Sequence, residues 1–219
     1  MLISVHIPKT GGVTFRSLLE HNFKSGLLYD YQDRPMSSPT FLRNMKACRQ
    51  AITPNASLSD YECVHGHFMP FKYKFLKEKR FSIWFRHPVD RIISRYYYMQ
   101  RHSNFSSNQF DLYIRDKNIS LEDFCEIRHF HNLYNKYLWG VSLECFDFIG
   151  ITEKYEQSLK RFCNAFEIDA DFRNMPSENI NTDVAKEDGR YTVNDKLFNS
   201  IYRNNRKDFL IYEKALSMY

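Results

Sequence analysis

Long hydrophobic runs are missing from this sequence. The most compact apolar segments, Phe81 to Phe85 and Phe146 to Ile151, fall far short of the ~20 residues a membrane-spanning helix needs, and Ser82 and Asp147 interrupt them. A transmembrane segment is therefore not expected. Cysteine is sparse: Cys48, Cys63, Cys125, Cys145 and Cys163 form no Cys-x-x-Cys pair, and an odd number cannot pair completely within one chain. Reduced thiols follow as the expectation. With 7 glycines and 7 prolines in 219 residues, collagen-like and low-complexity readings are excluded. The start, MLISVHIPKTGG, has neither the basic opening nor the longer apolar stretch of a secretory signal. These absences lead to the expectation of a cytoplasmic protein, in which the sequons at Asn55, Asn104 and Asn118 carry no meaning.

What is present is the composition of a folded chain: 43% hydrophobic, 26% charged, with 19 phenylalanines, 15 tyrosines and 2 tryptophans. Its length suits one domain spanning residues 1–219. A net charge of +5 favours an anionic ligand but is too mild to point to nucleic acid.

Leu2 to Ile7 reads as a strand ended by Pro8, and Phe15, Leu18, Leu19 and Phe23 follow at helical spacing. Phe81 to Phe85 is a second strand, with Pro88 in the first turn of a helix whose apolar face is Val89, Ile92, Ile93 and Tyr96. Phe146 to Ile151 is a third, followed by a helix burying Leu159, Phe162, Cys163 and Phe166. A weaker strand is expected at Tyr61 to Val64, and Asn194 to Tyr219 closes the chain with Leu197, Ile201, Tyr212 and Leu216 on one helical side. Ser103 to Gln109 reads as a mobile loop and Asn174 to Thr192 as a polar one, with no repeat and no dividing linker. The alternation predicts an α/β fold with a mostly parallel sheet flanked by helices. Ligands of such sheets bind beyond the carboxyl ends of the strands, here Pro8 to Thr14, His65 to His67, Arg86 to Pro88 and Thr152 to Glu153.

PKTGGVTF, Pro8 to Phe15, is the most informative segment. In a glycine-poor chain, adjacent Gly11 and Gly12 between a strand and a helix imply a turn that side chains would obstruct. Exposed amides of Thr10, Gly11, Gly12, Val13 and Thr14, at the positive end of a helix, make an anion cradle. Lys9 adds a charge, and Thr10 or Thr14 a hydroxyl. A Walker A loop places its lysine after the second glycine; here Lys9 precedes both, so the anion is held differently from that of an ATPase. RHPVDRIISRYYY, Arg86 to Tyr98, offers a second anion site: Arg86 leaves a strand end while Arg91, Ser94 and Arg95 fall away from the apolar helix face. His65 and His67 flank Gly66, and an imidazole suits proton removal near neutrality. Two hydrogen-bonded structural histidines are the alternative. A zinc pair is another, since His129 and His131 repeat the spacing, but no third ligand follows it. The run KYKFLKEKR, with Lys72, Lys74, Lys77, Lys79 and Arg80, reads as a solvated face or as a surface for an acidic glycan.

These segments resemble a family. PKTGGVTF is similar to the 5′-phosphosulfate loop of sulfotransferases that use 3′-phosphoadenosine 5′-phosphosulfate (PAPS), and the spacing of Arg86, Pro88, Arg91, Ser94 and Tyr96 to their 3′-phosphate motif. The histidine motif resembles the carbohydrate branch, which includes heparan sulfate 2-O-sulfotransferase. FDFIGITEKYEQSL and DFLIYEKAL are similar to its later landmarks, so the resemblance covers Leu2 to Arg101 and Phe146 to Tyr219. It implies a P-loop-like sulfotransferase fold, PAPS as donor without a required metal, and a hydroxyl acceptor on a glycan or glycoconjugate. By the same resemblance Lys9 neutralises the leaving oxygen and His67, with His65 next, is the base. Arg86 and Ser94 hold the 3′-phosphate, Thr152 and Glu153 border the adenine, and Asn179, Asn181 and Thr182 lie over the nucleotide. The rivals are a P-loop kinase of a small hydroxyl compound and a nucleotide- or glycan-binding module without catalysis.

Overall fold

The computed structural model describes residues 1–31, 33, 35, 38–53, 56–102, 109–169, 186–187 and 190–219. Five parallel strands form its sheet: β1 (Leu2–Val5), β2 (Leu27–Asp30), β3 (Cys63–Gly66), β4 (Arg80–Phe85) and β5 (Phe148–Ile151). Their spatial order is β2-β3-β1-β4-β5. β1 is central, with Ser4 opposite His65 on one side and Ser82 on the other. The helices are α1 (Gly12–Phe23), α2 (Thr40–Ile52), α3 (Pro88–His102), α4 (Gln109–Asp116), α5 (Leu121–Glu126), α6 (Leu133–Tyr137), α7 (Tyr155–Phe166), α8 (Asp195–Asn204) and α9 (Arg206–Ser217). Two short antiparallel strands, β6 (Lys186–Glu187) and β7 (Arg190–Tyr191), lie within the segment expected to be a polar loop. Among the described residues no helix is long and apolar enough to cross a membrane.

Side chains alternate across each strand, so the sheet has two differently filled faces. Leu2, Cys63, Trp84 and Phe148 meet Phe15, Leu18 and Leu19 of α1 and Leu159 and Phe162 of α7. Ile3, Val5, Val64, Ile83, Phe85 and Ile149 meet Tyr134 and Tyr137 of α6 and Tyr212 and Ala215 of α9. The connection after β1 thus goes to one face, whereas α3, after β4, packs through Phe209 on the side of α9. Neighbouring strands whose connections leave to opposite faces open a crevice between them, and it lies between the ends of β1 and β4.

Several boundaries differ from the sequence reading. The weak strand is Cys63–Gly66, shifted toward the histidines, and neither β2 nor α2 was anticipated. The closing helix is two: Asn205 is buried, its amide group donates to Ile201 O at 2.9 Å and its Oδ1 accepts from Asn132 N at 3.0 Å, so the chain breaks there. Of the loop expected at Ser103 to Gln109, only Gln109 is described, as the start of α4.

Candidate active site

The turn after β1 is built around its two glycines. Gly11 has φ of +85°, and a Cβ there would meet the Tyr155 ring at 2.9 Å. At Gly12 a Cβ would sit 1.8 Å from His6 Nε2, so only glycine leaves room for that ring. Lys9 also adopts a positive φ, 72°. No side chain caps α1, and the first amides of a helix have no partner within it, so the turn retains its donors. The hydroxyls are committed elsewhere. Thr10 is buried and donates to Ile7 O at 2.9 Å, and Thr14 shares a hydrogen bond with Tyr155, whose own hydroxyl reaches Gly11 O at 3.2 Å. The cradle therefore rests on backbone amides and Lys9.

Lys9 Nζ stands 4.1 Å from the centroid of the Tyr98 ring, and Arg95 approaches the same ring at 5.9 Å. Burial, then the charges of Arg86, Arg95 and Arg101, pull the Lys9 ammonium down to about 8. The expected phosphate loop and the expected second anion site thus share one field. Arg86 is held at its backbone: its amide donates to the Tyr134 hydroxyl at 3.0 Å, and that hydroxyl donates to the Arg86 carbonyl. Its guanidinium lies 5.7 Å from the Tyr191 ring centroid. Ser94, two turns into α3, is largely buried.

Arg91 corrects the sequence reading. It was expected on the ligand side of α3, but it is 1% exposed, 3.7 Å from Asp208 and 3.3 Å from Phe130 O. A single helix shows which face is apolar, not that α9 and α6 will cover the opposite one. Arg91 ties α3 to α9 and lies 5.4 Å from the Tyr134 ring centroid. Thr152 and Glu153 likewise serve the protein. The Thr152 hydroxyl lies 3.0 Å from Thr10 O and 2.9 Å from Phe85 O, stitching the ends of β1, β4 and β5 together. Glu153 accepts from the His87 amide at 2.7 Å and from the Tyr212 hydroxyl at 2.9 Å. Asn179, Asn181 and Thr182 lie outside the described residues.

The two histidines of the motif part company. His65 is wholly buried; its Nδ1 is 2.9 Å from the Ser4 hydroxyl, and Nε2 has no hydrogen-bond partner among the described residues. Burial above all, then the charges of His67 and Arg16, lowers it to about 3. It lies beneath the cluster, away from solvent. His67 is half-buried, and its Nδ1 lies 2.6 Å from His6 O. Because a carbonyl only accepts, Nδ1 carries the proton and Nε2 keeps the lone pair. Burial lowers His67 to about 4, with Arg95 adding to the effect and the His6 bond opposing it. The ring is therefore neutral near pH ~7. The Arg95 charge lowers both His67 and Lys9.

Two neighbours escaped the sequence reading. His6 stacks on His65 at 5.1 Å, lies 4.5 Å from His67 and is 3.2 Å from the Tyr31 hydroxyl through Nδ1, while Tyr31 meets His67 edge-on at 4.7 Å. The signal for His6 was its period-two spacing from Ser4, which places it on the side of His65. Tyr31 carried no signal, since β2 was not anticipated. The other expected histidine pair lies elsewhere: His131 is bonded to Cys125 O at 2.9 Å.

No protein-family model matches the chain, and no curated protein matches it. Among solved structures it is similar to a sulfotransferase from Alicyclobacillus acidocaldarius, with a TM-score of 0.50 and 14% identity over 97% of this chain and 94% of that one. It is also similar to mouse sulfotransferase SULT7A1 complexed with PAP, with a TM-score of 0.42 and 15% identity over 99% of this chain and 88% of that one. The bacterial likeness shows that the chain, with its parallel sheet flanked by helices, shares the α/β fold of that sulfotransferase.

Proposed function

We propose that this protein is a PAPS-dependent sulfotransferase that moves a sulfuryl group to a hydroxyl, with a glycan or glycoconjugate as the acceptor class. One observation carries the reading: Lys9, at the mouth of an uncapped Gly-Gly turn, is pulled to about 8 by burial and by three arginines, so the cleft gathers positive charge that an anion would relieve. PAPS carries phosphate at two separated positions, and Arg86 and Lys9 stand at the ends of adjacent strands. Likeness to the A. acidocaldarius sulfotransferase supports sulfuryl transfer, and the sequence resemblance to PAPS-using enzymes of the carbohydrate branch supports the donor and the acceptor class.

In the reaction the acceptor oxygen forms a bond to sulfur as sulfur's bond to the 5′-phosphate oxygen breaks. The acceptor proton goes to His67 Nε2, and the charge left on the departing oxygen is met by Lys9 and the turn amides. Arg86 and Ser94 hold the 3′-phosphate. By analogy with phosphoryl transfer, a loose in-line displacement needs placement and charge stabilisation more than covalent help. Calorimetry of adenosine 3′,5′-bisphosphate against ATP with magnesium tests the donor. Tighter binding of the bisphosphate is expected; preference for ATP would favour the kinase alternative and end this reading. Labelled PAPS with a panel of glycans then tests the acceptor.

A further inference from the structure

α2 presents the wrong side to water. Its packed line is Arg43, Ala47 and Ala51, while Phe41, Leu42, Met45 and Ile52 are 71%, 58%, 54% and 75% exposed. Phe41, Met45 and Ile52 are spaced by four and seven residues, so at 3.6 residues per turn they form one stripe facing away from the packed line. An apolar stripe of this size on an exposed helix marks an interaction surface.

Charge identifies what covers it. α2 carries three cations and no carboxylate. Arg43 is buried and Lys46 is 2.9 Å from Asp33, but Arg49 is exposed, one turn after Met45 and just short of a turn before Ile52, beside the stripe. The turn Pro70–Tyr73 packs along α2 and leads to Phe75, 63% exposed, between exposed Lys74 and Lys77, with Glu78 the one acid before Arg80. Apolar side chains flanked by cations match an anionic bilayer, which takes the former at its headgroup boundary and the latter on its phosphates.

We propose that α2 docks this protein reversibly on an anionic lipid surface. Co-sedimentation with vesicles of phosphatidylserine and phosphatidylcholine, and of phosphatidylcholine alone, tests the idea. Wild-type protein should bind the mixed vesicles, lose binding as salt is raised, and ignore the neutral ones. Replacing Phe41 and Ile52 together by serine should lower the bound fraction by about tenfold, and Arg49→Glu by severalfold. In Phe41→Trp, tryptophan emission should shift to shorter wavelength on mixed vesicles. These positions are exposed, so circular dichroism should show an unchanged fold. Unchanged binding in the serine double variant, or equal binding to neutral vesicles, would overturn the proposal. So would ultracentrifugation showing a dimer that the serine double variant dissociates, or an acidic protein helix occupying the stripe in place of lipid. None of the substituted residues belongs to the transfer site, so failure here leaves the sulfotransferase reading untouched.

Discussion

At the scale of single residues, the proposed transfer would take its pH window from Lys9 and His67. An ordinary lysine stays charged to 10.5, but burial and three arginines bring Lys9 to about 8, so in the free protein its charge disappears as pH rises through that value. His67, brought to about 4 mainly by burial, takes a proton only when pH falls through that lower value, and the proposed role as base would end there. The kcat/KM for sulfuryl transfer should therefore be flat between these limits and fall on both sides, with the alkaline limb moving upward in kcat because the bound donor favours the charged lysine. A pH–rate profile checks this; an alkaline limb left in place by Lys9→Arg would contradict the assignment. Lys9→Ala should abolish transfer while retaining much of the affinity for adenosine 3′,5′-bisphosphate, whose 3′ anchor remains. His67→Ala should lower turnover by ~100-fold or more. The Gly-Gly turn after Lys9 and the strand end before His67 were legible because glycine placement and apolar runs are local properties. Arg91 was misread because burial by a distant helix is not.

Among the elements, what matters is how strand ends are fastened. Thr152 bridges the ends of β1 and β4 from β5, and Tyr134 of α6 bonds both polar groups of the Arg86 peptide. Removing that hydroxyl leaves two backbone groups without a partner and frees Arg86 to turn. Tyr134→Phe should thus weaken adenosine 3′,5′-bisphosphate binding by about tenfold, on the scale of one or two lost hydrogen bonds, with little effect on adenosine 5′-monophosphate. Parallel calorimetry of the two nucleotides distinguishes this from general loosening, in which both would weaken alike. The three strand-to-helix units with strong apolar runs were legible. β2 was not, because only Leu27, Leu28, Tyr29 and Asp30 make it and β3 supplies its pairing. α2 was not either, because its packed side is arginine and alanine.

For the whole molecule, burying neutral histidines beneath the site couples stability to pH. His65, 0% exposed, stays neutral down to about 3, whereas in the unfolded chain it takes a proton below 6.5. His6 is lowered in the same direction, by burial first and then by its charged neighbours. In that window the unfolded chain binds more protons, so stability falls as pH falls, by up to about 1.4 kcal/mol per pH unit for each such histidine. Urea titrations at ~pH 7 and ~pH 5 should show the loss, and His65→Gln should reduce its slope; an unchanged slope would refute the coupling. The sequence alone determined the α/β class, the Gly-Gly turn at Pro8–Thr14 and the strand ends that bear Arg86 and the histidines, because periodicity, glycine placement and residue order act within a few positions. Only the tertiary structure decided which side chains remain available to a ligand. It committed Thr10, Thr152 and Glu153 to the protein, buried Arg91 and His65, and set His6 and Tyr31 beside His67. Those outcomes depend on which distant elements the sheet order brings together, and no local pattern encodes that.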